Sequence, residues 1–253
     1  MKKTSSKKDE GNNNKNNKVF ELKDGKLDKK SKKIIIFKMI KVFEEENIDP
    51  KIELDYKNPF MLLVAVLLSA QSTDKQVNIV TKKLFANIET PNDMLKLGEK
   101  KLKEYIKSIG FFNNKAKNII KTSSILDQRF DGKITDNREQ LMSLPGIGRK
   151  SANVILNVIF NCNTLGVDTH IFRVANRLKL SNGKTPDEVE DDLMKVIPKD
   201  VIGKMHQWIV LHGRYICKAR KPECRICPVK NFCLYEDKVC LLYTSPSPRD
   251  SFR

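Results

Sequence analysis

Four cysteines near the end of the chain, Cys217, Cys224, Cys227 and Cys233, follow the spacing C-x6-C-x2-C-x5-C. That spacing is compact enough for one loop to wrap a single metal centre. Four thiolates suit a zinc ion or a four-iron, four-sulfur cluster, and softness alone does not separate the two. A disulfide framework fits less well, because nothing upstream marks the chain as secreted. The identity of the metal has to come from the rest of the sequence.

At 253 residues the chain can bury a substantial core, in one large domain or two smaller ones. Its net charge is +17, and residues 1–33 carry twelve Lys against five acidic residues, leaving +7 there and +10 elsewhere. A basic body of this kind points to a polyanionic partner, with nucleic acid ahead of membrane. No apolar stretch follows the basic N-terminus until Ile34, and Lys38 and Lys41 interrupt that stretch. The continuous apolar run from Phe60 to Leu68 is too short to span a bilayer. The expectation is a soluble protein in a reducing compartment, with no membrane partner. Cys162 and Cys240 stand outside the cluster spacing, and Cys162 reads as a small structural residue.

Residues 1–30 are Lys, Asn, Ser and Gly with scarcely any apolar side chain, which predicts a disordered basic arm. Ile36, Met39, Ile40 and Phe43 then recur at helical spacing. Pro59 opens a second helix that is apolar on every side through Leu68, so it should be the central buried one. Further helical patterns fall near 74–86, 100–108, 114–128, 138–143, 149–160, 169–179, 187–196 and 203–216, while alternating strand patterns are nearly absent. The predicted fold class is all-α. Residues 241–253, LLYTSPSPRDSFR, continue none of this periodicity and read as a non-native tail.

The second strong signal is Leu144-Pro145-Gly146-Ile147-Gly148-Arg149-Lys150. Asp136 can cap the short helix before it, with Glu139 at the third position. After the turn, Ala152, Ile155, Leu156 and Ile159 form one apolar face of the next helix. Two helices joined by Pro-Gly-x-Gly make a helix-hairpin-helix, whose outward amides at a helix N-terminus suit a phosphate. Such contacts position DNA without reading its sequence. Lys150 begins the second hairpin helix, and two roles fit it there: a phosphate-contacting surface lysine or an amine nucleophile able to attack carbon. Asp168 follows eighteen residues later in Val167-Asp168-Thr169-His170, at the expected N-cap of another helix.

The stretches LLSAQSTDKQVN (67–78), IGFFNNKAKNIIK (109–121), LPGIGRKSANVILN (144–157), VDTHIFRVANR (167–177) and LHGRYICKARKPECRICPVKNFC (211–233) together resemble the endonuclease III family. That family comprises helix-hairpin-helix DNA glycosylases and abasic-site lyases of base excision repair. The likeness runs from about residue 34 to 238. It implies one [4Fe-4S] cluster on Cys217, Cys224, Cys227 and Cys233, Lys150 as nucleophile and Asp168 as its carboxylate partner. It also implies double-stranded DNA with oxidised pyrimidines or abasic sites as substrate. DNA contacts are expected from Gly146, Ile147, Gly148 and Arg149. Gln71 and Phe111 would fill the gap left by a flipped nucleotide, and His170 would line the pocket. Family members often carry Leu where this chain has Phe111. Without the resemblance, Gln71 reads as the polar end of a buried helix and Phe111 as a core aromatic.

The implied architecture is two helical domains with DNA between them: a continuous one at 53–163 ending in the hairpin, and one joining 34–52 to 164–238 that holds the cluster. Lys150 and Asp168 would meet at that boundary. A monomer is expected, in the cytoplasm or nucleoid of a prokaryote, or the nucleus or mitochondrion of a eukaryote. The nearest rivals are monofunctional adenine-mispair or thymine-mismatch glycosylases, which lack the hairpin lysine. A noncatalytic hairpin module with structural zinc is the rival from another class. Hydrolysis and β-elimination need no electron transfer, and Lys218, Arg220 and Lys221 lie between the first two cysteines. The cluster therefore reads as a staple for a basic, phosphate-facing loop. Cys224→Ser is expected to lose both visible-range absorbance and affinity for duplex DNA, read by spectrophotometry and a gel-shift titration.

Overall fold

The computed structural model describes residues 20–47 and 49–236. The tail at 241–253, Cys240 and the first nineteen residues of the expected basic arm lie outside the described residues. Among the described residues the chain is helical, without a strand, and no helix is long and apolar enough to cross a membrane.

Helix α1 (Lys29–Glu46) begins inside the arm expected to be disordered. Asp28 caps it, accepting from the Ser31 N–H at 2.6 Å. Ahead of it, Lys23 and Lys26 exchange backbone hydrogen bonds across Asp24-Gly25, and Leu27 is buried. Residues 20–30 are thus ordered, because Leu27 supplies an apolar anchor that the composition of the arm conceals.

Helix α2 (Pro59–Ser69) is the centre of the first core, and every residue from Phe60 to Leu68 is at most 5% exposed. Asn58 caps it, and Pro59 occupies its first turn where no N–H is needed. Around it pack α3 (Asp74–Leu84), α4 (Pro91–Ile106), α5 (Phe112–Arg129), α6 (Arg138–Met142) and α7 (Arg149–Phe160). Helix α4 starts well before the periodic stretch at 100–108. Thr90 and Asp93 form a capping box there, and Gly98, at φ 76°, kinks the helix and divides its apolar pattern. Helix α6 is capped by Asn137 rather than Asp136: the Asn137 side chain accepts from Gln140 N–H at 2.9 Å, which leaves Glu139 one position short of a capping box.

The second core joins α1 to α8 (Thr169–Arg177), α9 (Pro186–Met194), α10 (Ile202–Leu211) and the cysteine loop. The last helical pattern, read as 203–216, is α-helical only to Leu211. His212–Ile216 widens into a π turn before Cys217.

One strap connects the cores after α7. The Asn153 and Asn157 amides donate to the carbonyls of Leu165 (3.1 Å) and Thr164 (2.9 Å), and the Thr164 hydroxyl donates to Asn153 C=O at 2.7 Å. Gly166 lies so close to α7 that an added Cβ would sit 2.7 Å from the Lys150 carbonyl oxygen and 2.9 Å from Val154 Cγ2. Gly166→Ala is expected to cost about 1–3 kcal/mol in urea unfolding, because the strap must lift off the helix. His206 in α10 is buried, and its Nδ1 has no hydrogen-bond partner among the described residues. Burial pulls its pKa down from 6.5 to about 4. Between those two values the unfolded chain holds a proton that the folded one rejects. Stability is therefore full above pH 6.5 and falls as the pH drops toward 4, by up to about 3 kcal/mol. Urea midpoints across that range test this, and His206→Gln should remove its share of the slope, leaving that of His212, whose pKa burial also lowers to about 4.

Candidate active site

The hairpin turn places Gly146 at φ 85°, a region in which a side chain is strained. An added Cβ would also meet Asn118 Nδ2 at 2.8 Å and Leu67 Cδ2 at 3.0 Å, so this glycine lets the turn press onto α2 and α5. Ile147 is 5% exposed and anchors the turn in the first core, so only its backbone remains for a ligand. Gly148 is the N-cap of α7, with open space where a Cβ would be, and it leaves the first amides of the helix without a side-chain cap. The sequence carries this anion-receptive geometry locally.

Arg149 departs from its expected role. Its guanidinium makes a two-pronged pair with Glu190 on α9 (3.1 and 3.0 Å), with Asp191 at 3.4 Å and Asp187 at 3.9 Å. Glu190 is itself buried. The Arg149 charge is thus matched within the protein, where it ties α7 of the first core to α9 of the second.

Lys150 is exposed on the first turn of α7, and Asp168 is half-buried as the N-cap of α8, its Oδ1 accepting from the Ile171 N–H at 2.7 Å. Both line one cavity of about 150 Å³ at the junction of the cores, together with Asp74, His206, Gln207 and Arg214. Asp74, at the start of α3, is held above the usual carboxylate range by burial. Lys150 opposes that shift and Asp168 reinforces it, so the three groups share one electrostatic environment. Arg214 Nη2 pairs with Asp74 at 2.8 Å, and its Nη1 pairs with Glu53, which Tyr215 Oη also reaches. The π turn aims Arg214 and Tyr215 this way, packing Gly213 on His170: a Cβ at 213 would lie 2.8 Å from His170 Cβ. Sequence reasoning missed Asp74, Arg214, Glu53 and His206. The first two stand inside the conspicuous SAQSTD and LHGRYIC stretches, which was the available signal.

His170 lines the adjoining cleft of about 780 Å³, with Asp74, Arg214 and Tyr215, rather than the Lys150 cavity. Its Nδ1 lies 3.2 Å from Arg173 Nη2. Gln71 and Phe111 are both exposed, Phe111 by 66%, and both adopt left-handed backbone, at φ 55° and 58°. Phe111 is therefore no core aromatic. Their loops touch, since a Cβ at Gly110 would lie 3.5 Å from the Gln71 carbonyl oxygen.

All four cysteines of the spaced set line one enclosed cavity of about 20 Å³. Cys227 is buried, and burial pushes its thiol up to about 12, with Cys233, Cys217 and Cys224 adding to the shift against a backbone hydrogen bond from Val229. Arg177 donates to Cys217 Sγ at 3.3 Å, and the buried His212 ring lies 3.9 Å from Cys227 Sγ. Among the described residues, no three His, Cys, Asp or Glu side chains are grouped as a single-ion site. Lys218, Arg220, Lys221 and Arg225 are exposed around that loop.

Residues 64–199 match the family model of the HhH-GPD superfamily base excision DNA repair proteins. The chain is 53% identical over 201 residues to an endonuclease III of Rickettsia conorii, covering 79% of this chain and 96% of that protein. It is 50% identical over 195 residues to endonuclease III of Escherichia coli K12, covering 77% and 92%. Among solved structures it is similar to a trapped endonuclease III–DNA covalent intermediate in an estranged-adenine complex, at 41% identity and TM-score 0.76, covering 82% of this chain and 96% of that one. A thermostable thymine-DNA glycosylase, at 20% identity and TM-score 0.69, shares the fold. With the hairpin, the cysteine loop and these likenesses together, the chain belongs to the endonuclease III family of HhH-GPD base excision DNA repair proteins.

Proposed function

We propose that Lys150 and Asp168 carry the reaction of this DNA glycosylase and abasic-site lyase, with oxidised pyrimidines in duplex DNA as substrate. The observation that supports the pair most is their sharing of one cavity where the two cores meet, each at a helix N-terminus. The damaged nucleotide must leave the stack before its C1′ is accessible. As the glycosidic bond breaks, positive charge grows on the sugar, and the Asp168 carboxylate stabilises it. The Lys150 amine bonds to C1′ as the base leaves with the glycosidic electron pair and one of the amine's protons; the C1′–O4′ bond then breaks, O4′ taking a proton from solvent as a hydroxyl, and an iminium between Nζ and C1′ remains. Loss of a C2′ proton then expels the 3′ phosphate by β-elimination. Water hydrolyses the imine and restores the amine. Asp74 and His206 border the same space, and Arg214 holds Asp74 in place.

Gln71 and Phe111 are proposed to occupy the gap that flipping leaves, Gln71 by hydrogen bonding to the orphaned base and Phe111 by stacking. Their exposure on strained turns supports this, since strain is retained where a side chain has work at that position. Phosphates would meet the backbone amides at Gly146–Gly148 and the basic residues of the cysteine loop. The domain division proposed is 53–163 against 34–52 plus 164–238, in keeping with the two separate cores.

The metal group proposed for Cys217, Cys224, Cys227 and Cys233 is a [4Fe-4S] cluster. Four cysteine side chains lining one cavity supply the soft donor set that an iron–sulfur cluster takes. When bound, it supplies covalent cross-links that shape the loop. Borohydride reduction with thymine-glycol or abasic duplex should trap a protein–DNA adduct with the wild type. Lys150→Gln should give none and should reduce strand cleavage to background while retaining duplex binding.

A further inference from the structure

Lys115 lies in α5, is only 8% exposed, and belongs to no catalytic group described above. Its Nζ donates to the Leu68 carbonyl at 2.9 Å and to Ser72 Oγ at 3.1 Å. Those two acceptors bracket Gln71. Leu68 C=O is among the last carbonyls of α2, which lack partners within the helix and lie at its negative end, where a cation is favoured. Lys115 also reaches the other loop through its backbone, since its N–H donates to the Phe111 carbonyl at 3.1 Å. One residue therefore holds both strained turns.

Among the described residues no carboxylate is paired with this amine, and burial pulls its pKa down. Burying an amine without a counter-ion is expensive, and an apolar side chain of the same length would fill the space at lower cost. The gain has to lie in what the amine orients. Gln71 takes a left-handed conformation just past the end of α2, where glycine is the favoured residue, and Phe111 does the same before α5 with no side-chain cap. Each turn is strained in a residue with a Cβ and relaxes unless its neighbours fix it. The other tie between these segments, Gln76 Nε2 to Ser108 Oγ at 2.8 Å, is exposed and correspondingly weak.

We infer that Lys115 is a positioning residue for damage recognition: its buried amine sets the spacing of Gln71 and Phe111, so that both enter the duplex together when a nucleotide is flipped. This rests on the reading of those two residues as gap fillers.

The test is a mutant cycle on duplex carrying thymine glycol, measured as the single-turnover excision rate. Lys115→Met keeps the side-chain length and removes the donors, while Lys115→Gln restores an N–H and carries the test if the Met variant does not fold. Either substitution should slow excision by about tenfold or more in the wild-type background, with Gln the milder, and by less than about threefold when Gln71→Ala and Phe111→Ala are already present. With 2-aminopurine opposite an abasic site, the fluorescence change on wild-type binding should be lost in the Lys115 variants. An equal rate loss in both backgrounds would mean a merely structural lysine and overturn the inference, as would a wild-type rate in the single variants. If the Gln71→Ala/Phe111→Ala enzyme, with Lys115 intact, excises at the wild-type rate, the gap-filling reading fails first and takes this one with it.

Discussion

The seating of residues 164–166 on α7 is the interaction on which the rest of the site depends. Lys150 belongs to the first core and Asp168 to the second, and the strap between them is held by buried amides of Asn153 and Asn157. Sliding the strap by one residue would strand those amides and the Thr164 hydroxyl without partners, at a cost of about 1–3 kcal/mol for each group. Gly166 removes the Cβ that would hold the strap away from the Lys150 backbone. The relative placement of Lys150 and Asp168 is therefore set by backbone and amide geometry before any charge interaction between the two side chains is considered.

Two ion-pair systems flank that junction. Arg149 reaches α9 on one side, and Arg214 reaches Asp74 and Glu53 on the other. Each crosses from one core to the other, and each involves a residue close to Lys150 or its cavity. A fork-shaped guanidinium suits this task better than a lysine, because paired hydrogen bonds fix orientation as well as distance. Helix α8 extends the same logic toward the cysteines. Asp168 caps its start, while Arg173 and Arg177 farther along bind the carbonyls of Gly213, Cys217, Lys218 and Ala219. The cysteine loop and the Asp168 carboxylate are thus attached to one short rigid rod.

Much of this was legible in the sequence because it is local. The run from Phe60 to Leu68, opened by Pro59, reads as a helix buried on all sides, the Pro-Gly-x-Gly turn between two periodic segments reads as a hairpin of helices, and the cysteine spacing marks one loop. The errors also have local causes. Asp136 and Asn137 are adjacent residues with equal capping ability, and the phase of α6 chose between them. The start of α4 was hidden because the kink at Gly98 splits its apolar positions into two short sets. The arm was read too long because a single buried leucine does not register in a composition dominated by lysine.

The sequence by itself determined the helical class, the hairpin and the thiol set, while the roles of Lys150 and Asp168 came from the family resemblance. Each of the first three depends on residue type at short spacing, which the chain states directly. Only the tertiary structure decided that Arg149 turns to Glu190, that Asp74, Arg214 and His206 surround the Lys150–Asp168 cavity, and that Lys115 holds both strained loops. Apart from the Lys115 bond to Phe111, those partners lie about forty or more residues apart along the chain. Which charge meets which at that separation is fixed by how helices pack and where burial makes an unmatched polar group costly, and one-dimensional spacing carries neither.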